Sequence, residues 1–349
     1  MVQSQTKPMI FTRNPTPDEK RVGHSTRVAL PISEQRQRLW YGIGRVMADM
    51  GKVIDEDEPM PEIEDEAQPE EVKPEETKPP KKENEESYFL RRLREIRAFL
   101  NRRAEIGEPL DEIATRPALD GIRGIRAGIS ADAMLHAMSL HWPADARREA
   151  GIREVDYADE CEQLPAGEDD DGNVIHFHRL AGYVVKLANA RIPIMLVGPA
   201  GTGKSHLLKQ LAGLMDLPFA ECPMTAGATP SWLLGKSTLQ GFIESALMEV
   251  YSKGGVFNFE EIDAADPNML LVSNQILASR EYFNPANQEM YVKSDNFISA
   301  SCANTFGLGA TRAFTARERL DAASIDRWRM GRMFLPFDET LSEAIALAQ

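Results

Sequence analysis

Gly198, Pro199, Ala200, Gly201, Thr202, Gly203, Lys204, Ser205 and His206 spell GPAGTGKSH, and their types and spacing suit one task, the holding of a phosphate chain. Glycines let backbone N–H groups turn inward around the anion, the Lys204 ammonium reaches β and γ oxygens, and the Ser205 hydroxyl offers a ligand for magnesium. An apolar run at 192–197 precedes the loop and a helix-like stretch at 206–211 follows it. That setting puts the anion at a helix N-terminus, where free N–H groups and the helix dipole favour negative charge.

Phosphate chemistry needs more than a cradle. One carboxylate must stand near the metal, usually through its water shell, and a second must orient and deprotonate an attacking water. The apolar run 255–259 ends in Glu260 and Glu261. Successive strand side chains point to opposite faces, so the two acids divide the work: Glu260 is expected on magnesium and Glu261 on the water. A third apolar run, 297–303, ends at Asn304. Alone, an Asn there reads as a turn residue; after the other two motifs it becomes a donor for the attacking water or the γ-phosphate, at the strand ends that line the crevice of an open sheet.

Five apolar runs, near Ile192, Phe219, Val256, Asn296 and Arg332, alternate with helical stretches. This predicts an α/β fold with a parallel sheet and helices on both faces. Taken in order, the motifs resemble the AAA+ ATPases of the P-loop NTPase class, and in particular the MoxR and cobaltochelatase ATPase branch that includes dynein-related domains. The stretches TPSWLLG at 229–235, ANTFGLG at 303–309 and IDRW at 325–328 carry the finer resemblance, which runs from about Val174 to the C-terminus. It implies ATP as substrate with Mg2+, Asn304 as first sensor, and Arg327 as an arginine finger presented to a neighbouring subunit. It also implies a homo-oligomer, a hexameric ring, acting on a partner protein such as one with a von Willebrand A-type domain. Arg312, Arg317, Arg319 and Arg329 compete with Arg327 for the finger. Two other readings stand beside this one: a viral or mobile-element ATPase working on DNA, and a nucleotide-gated assembly protein with little turnover. Two departures from the family bear on the choice. Glu260 stands where the family carries Asp, and after the run 332–336 there is a single helix start capped by Asp338, so the helical lid is expected to be absent or truncated.

The remaining chain divides by composition into an N-terminal arm at 1–52 with helical spacing at 28–50, a linker at 53–87, a small helical region at 88–165, and the ATPase domain at 174–349. Of 349 residues, 54 are acidic and 40 are Lys or Arg, a formal charge of −14 that falls mostly on the linker. Its Asp, Glu and Pro bury too little apolar surface to fold, so a disordered tether is expected. Ser87 is the expected cap of an arginine-rich helix at 88–106, whose Arg91, Arg92, Arg94, Arg97, Arg102 and Arg103 suit either a solvated face or, less favourably, nucleic acid. His136, His141, His176 and His178 lack the supporting ligands of a zinc site, and 169–173 reads as a turn rather than a calcium loop. Three cysteines without metal spacing, no apolar leader and no membrane-length run lead to the expectation of a cytoplasmic protein.

Overall fold

The computed structural model describes residues 83–347 apart from 111–112, 169–173, 226, 311, 313, 316 and 318. The expected helix at 28–50, the acidic tether up to residue 82 and the turn at 169–173 lie outside the described residues. Five parallel strands form the central sheet: β1 Ile194–Val197, β2 Phe219–Pro223, β3 Gly255–Glu260, β4 Phe297–Ala303 and β5 Arg332–Phe334, in the order β5-β1-β4-β3-β2. The central β4 is buried throughout its length. A near-continuous apolar run is what a strand covered on both faces demands. Alternation then sorts side chains between two cores: Ile194, Leu196, Ile298 and Cys302 enter one, and Met195, Val197, Phe257 and Phe259 the other.

The first core belongs to helices α1 Glu85–Glu105, α2 Thr115–Arg126, α3 Ala131–Ser139, α4 Ala144–Glu149, α5 Ala181–Asn189 and α6 Lys204–Leu214. Phe89, Leu93, Ile96 and Leu100 repeat at helical spacing along the buried side of α1 and join Met134, Ile194 and Ile298 in one apolar cluster. The helical region and this face of the sheet therefore share a single core. Close approach depends on small residues in α2: a Cβ on Gly121 would strike the Phe89 ring at 2.3 Å, and one on Gly124 the Met134 sulfur at 2.4 Å. The start of α1 corrects the expected cap. Asn84 fills that position, its side-chain oxygen accepting from the Ser87 N–H at 2.7 Å. Ser87 lies inside the first turn, whose N-terminal acids Glu85 and Glu86 suit the helix dipole.

Among the described residues, three of the six arginines of α1 are paired with acids of the chain. Arg91 pairs with Glu83 and Glu95, Arg103 with Glu108 and Glu149, and Arg92 with Glu95 and the carbonyls of Ala150 and Gly151. The second core is closed by α7 Ala246–Lys253, α8 Pro267–Ala278 and α9 Ala322–Trp328, with Trp328 set edge-on to Phe259 at 5.9 Å. Helix α10, Glu339–Leu347, is capped by Asp338, whose Oδ1 accepts from the Leu341 N–H at 3.0 Å. Two hairpins, Lys236–Thr238 with Gly241–Ile243 and Glu281–Asn284 with Glu289–Val292, interrupt the α/β alternation. Among the described residues no helix is long and apolar enough to cross a membrane.

Candidate functional site

The loop between β1 and α6 has the shape its glycines allow. Gly201 and Gly203 sit at φ of 86° and 80°, the left-handed region that glycine adopts without steric cost. Gly198 is required for a different reason, since a Cβ there would lie 2.4 Å from the Leu335 carbonyl on the strand side. Ala200, Gly201, Gly203, Lys204, Ser205 and His206 line a cavity of about 330 Å³, and Glu260, Glu261 and Asn304 complete it. Gly198, Pro199 and Thr202 are not brought to the lining; the Thr202 hydroxyl donates to the Pro199 carbonyl at 3.1 Å and braces the loop from behind.

Lys204 is the hub. Its Nζ donates to the carbonyls of Gly198 and Pro199, both at 2.8 Å, and to Asn304 Oδ1 at 3.2 Å. Burial lowers the pKa of this ammonium, against the pull of Cys302 and the nearby Glu260, Asp263 and Glu261. Ser205 Oγ donates to Glu260 Oε2 at 2.8 Å, and Asn258 Nδ2, two residues earlier on the same side of β3, donates to that oxygen at 2.6 Å. A hydroxyl and a carboxylate held this close are hard oxygen donors that fit Mg2+, an ion that takes few protein ligands and completes its shell with phosphate and water. No cluster of three or more His, Cys, Asp or Glu suited to a metal occurs among the described residues.

Glu261 departs from its strand. Its backbone is left-handed, φ 54° and ψ 43°, and the chain turns there into the short helix Ile262–Ala264. Such a conformation in a residue with a side chain is held by its surroundings and clusters at functional sites. Glu261 Oε2 lies 3.4 Å from Arg317 Nη1. Asp263, fully buried, accepts at Oδ2 from the N–H groups of Asn304 and Thr305 and from the Thr305 hydroxyl, at 3.1, 2.9 and 2.9 Å. It fixes the end of β4 against the end of β3 and so sets where Asn304 stands. Sequence reasoning assigned no role to Asn258 or Asp263, and it offered Arg317 only as a competing finger rather than as a partner of Glu261 and Asp263. An Asp two residues beyond a paired acid was the available signal for Asp263.

Arg327 is not brought to this cavity. It projects from α9 into a second cavity lined by residues 192–193 and 297–299, at the amino ends of β1 and β4, whereas the phosphate loop follows the carboxyl end of β1. The length of β4 separates the two, about 20 Å at the usual strand rise. Of its competitors, Arg329 is buried against Asp326 at 3.1 Å, and Arg317 faces the acids of its own chain. His178 is buried, with Nδ1 accepting from the Leu180 N–H at 3.1 Å and Nε2 facing the Pro336 carbonyl at 3.2 Å, and burial lowers its pKa. Cys302 lines the first cavity, its Sγ 3.9 Å from Ser205 Oγ, and burial raises its pKa.

Residues 193–328 match the family described as AAA domain, dynein-related subfamily. An uncharacterized protein of Staphylococcus epidermidis is 28% identical over 121 residues, covering 32% of this chain and 46% of that protein. One from Staphylococcus aureus is 28% identical over 119 residues, covering 31% and 45%. The chain thus spans about half the length of the curated relatives it matches. Among solved structures, a provisionally named ATPase from Cytophaga hutchinsonii gives a TM-score of 0.39 at 17% identity, over 48% of each chain. NtrX from Brucella abortus, in complex with ADP, gives 0.37 at 14%, over 63% of this chain and 48% of that one. The five-stranded parallel sheet with its flanking helices is the α/β architecture of the P-loop NTPases, and residues 193–328 are the part of it that matches an AAA domain.

Proposed function

We propose that the chain hydrolyses ATP in this AAA domain and uses the energy to remodel a partner protein, in the manner of the MoxR and cobaltochelatase ATPases. The reading is carried by one observation, the convergence of Lys204, Ser205, Glu260, Glu261 and Asn304 on a single cavity at the carboxyl ends of the strands. Lys204 neutralises charge on the β and γ phosphates, trading the loop carbonyls for phosphate oxygens. Ser205 and Glu260 would hold Mg2+, which supplies charge neutralisation for the transferred phosphoryl group. Glu261 accepts the proton of the attacking water while the Asn304 amide orients that water. Arg327, at the far end of the sheet, acts on the nucleotide of a neighbouring copy in a homo-hexameric ring.

A protein substrate is favoured over nucleic acid by the hairpins. Leu239 at the tip of one is fully exposed, as are large parts of Ile243, Phe283 and Met290, and no arginine row accompanies them. Exposed apolar side chains of this kind suit protein contacts. A partner with a von Willebrand A-type domain fits the branch, and three free cysteines suit the reducing cytoplasm. Phosphate release from ATP, measured with and without magnesium across a range of protein concentration, tests the enzymatic core. Magnesium-dependent turnover that rises per subunit as copies assemble is expected, and no release at any concentration would end the proposal.

A further inference from the structure

The second cavity, about 340 Å³, is as large as the first and carries a surplus of positive charge. Arg116, Arg123, Arg191, Arg280, Lys293 and Arg327 line it, from α2, the turn before β1, the second hairpin and α9. Its two carboxylates are taken: Asp120 pairs with Arg123, and Asp295 with Arg280 at 3.3 Å. The acids next to Arg327 are taken as well. Asp326 pairs with Arg329, and Asp321 caps α9 through the Ser324 N–H at 2.6 Å. Arg191 is spent on carbonyls of Ala188 and Asp295 and on the Asn296 amide oxygen.

Three cations remain. Arg116 and Arg327, both half-buried, have no ion pair among the described residues, and Arg327 Nε is buried without a hydrogen-bond partner. Lys293 is held by the Leu277 carbonyl at 3.2 Å and lies over the rings of Tyr251 and Phe297. Burial first, and then the repulsion of these neighbours, brings the Lys293 pKa down to about 8 and that of Arg327 down to about 10. Crowded, partly desolvated cations are costly unless an anion joins them.

We infer that this cavity is a second anion site, in which Arg116, Lys293 and Arg327 receive the phosphoryl groups of a polyphosphate chain. Forked guanidinium donors match phosphate oxygens, and the flanking ammonium adds charge without constraining geometry. The chain can come from free polyphosphate or from ATP held by an adjoining copy. The second source rests on the ring reading of the proposed function, and the first does not. Either way Arg116, from a helix that precedes the AAA domain, joins Arg327 at one ligand and ties the helical region to the domain's anion chemistry.

The test uses the full chain with Lys204→Ala, which disables the phosphate loop, titrated with tripolyphosphate by calorimetry at two salt concentrations. For a free-anion site, salt-sensitive binding is expected that Arg116→Gln weakens by about tenfold or more and that Arg116→Lys, which keeps the charge and loses the fork, weakens less. Thermal melts verify that each variant is folded. For the ATP of an adjoining copy, tripolyphosphate shows no Arg116-dependent binding; instead Arg116→Gln on the otherwise unaltered chain lowers phosphate release by about tenfold or more. Mixing it with Glu261→Gln chains then restores part of the rate. Absence of both Arg116-dependent effects overturns the inference. The tripolyphosphate titration needs no hydrolysis, so a chain without turnover would sink the proposed function and still leave the cavity decided by that titration.

Discussion

Arg317 grips two acids of its own chain at once, its Nη1 3.4 Å from Glu261 Oε2 and its Nε 3.2 Å from Asp263 Oδ2. The pair it bridges comprises the candidate base and the buried carboxylate that positions Asn304. Arginine at this place therefore couples the orientation of Glu261 to the end of β4.

Asp263 loses a charged partner when Arg317 is removed, and a buried carboxylate left under-satisfied is expensive. Arg317→Ala and Asp263→Asn should each lower stability by roughly 1–3 kcal/mol in urea unfolding. In a double-mutant cycle the two should couple by about 1 kcal/mol or more, because they touch. Additive losses would mean that the contact contributes nothing.

Lys204→Ala removes the only ammonium in the first cavity's lining while leaving α6 in place. ATP affinity measured by calorimetry should fall by about a hundredfold or more, the scale of a lost charge-assisted contact to phosphate, with an unchanged circular dichroism spectrum. Affinity equal to that of the parent would remove the phosphate loop from the argument.

Glu261→Gln keeps the shape of the side chain and loses the base. Binding should persist and hydrolysis should drop by roughly 10²–10⁴-fold, the usual contribution of general base catalysis. Glu260→Gln, whose oxygen holds the Ser205 hydroxyl, should instead weaken the magnesium dependence of ATP binding. Indistinguishable phenotypes would undo this division of labour.

Arg327→Ala should bind ATP near normally and hydrolyse it poorly, losing on the order of 3 kcal/mol of transition-state stabilisation, about a hundredfold in rate. Mixed with Glu261→Gln chains it should regain activity, since some interfaces then join an intact Glu261 to a neighbour's Arg327. Mixtures that never recover would argue for a role within one chain.

His141 gives a pH signature. Its Nδ1 faces Arg332 Nη2 at 2.6 Å, and burial first, then Arg332 and Arg329, takes its pKa down to about 2. The unfolded chain binds the proton first, so this stability is whole above about pH 6.5 and erodes as the pH falls from there towards 2. Between pH 7 and 5 the loss should be roughly 2 kcal/mol, and His141→Asn, which keeps an acceptor for Arg332, should flatten that part of the curve. An unaltered slope would place the acid sensitivity in other groups.

The middle of the sheet was legible because β1, β3 and β4 are apolar runs buried on both faces, and because the glycines of 198–203 punctuate the first. Glu260, Glu261 and Asn304 were visible as polar ends of such runs. Asn258 was hidden inside one: a polar residue in an apolar strand gives no sign that it turns towards Glu260. Arg317 sits in a segment without periodicity, so nothing local announced its direction. The second cavity could not be read at all, since Arg116 and Arg327 are far apart in the chain and are brought together by the packing of α2 against α9. The hairpins were missed because their strands are only three or four residues long and largely exposed.

The shared core bears on how this molecule can be cut. Phe89, Ile96 and Met134 are packed in one cluster with Ile194 and Ile298, so a fragment beginning at the family boundary near residue 193 would present that side of the sheet to water as a broad greasy plate. Such a fragment should be sticky and short-lived in solution, whereas one beginning at Glu83 keeps its cover. The smallest workable piece of this chain is therefore set by α1 and its Asn84 cap, well upstream of the first residue that touches a phosphate.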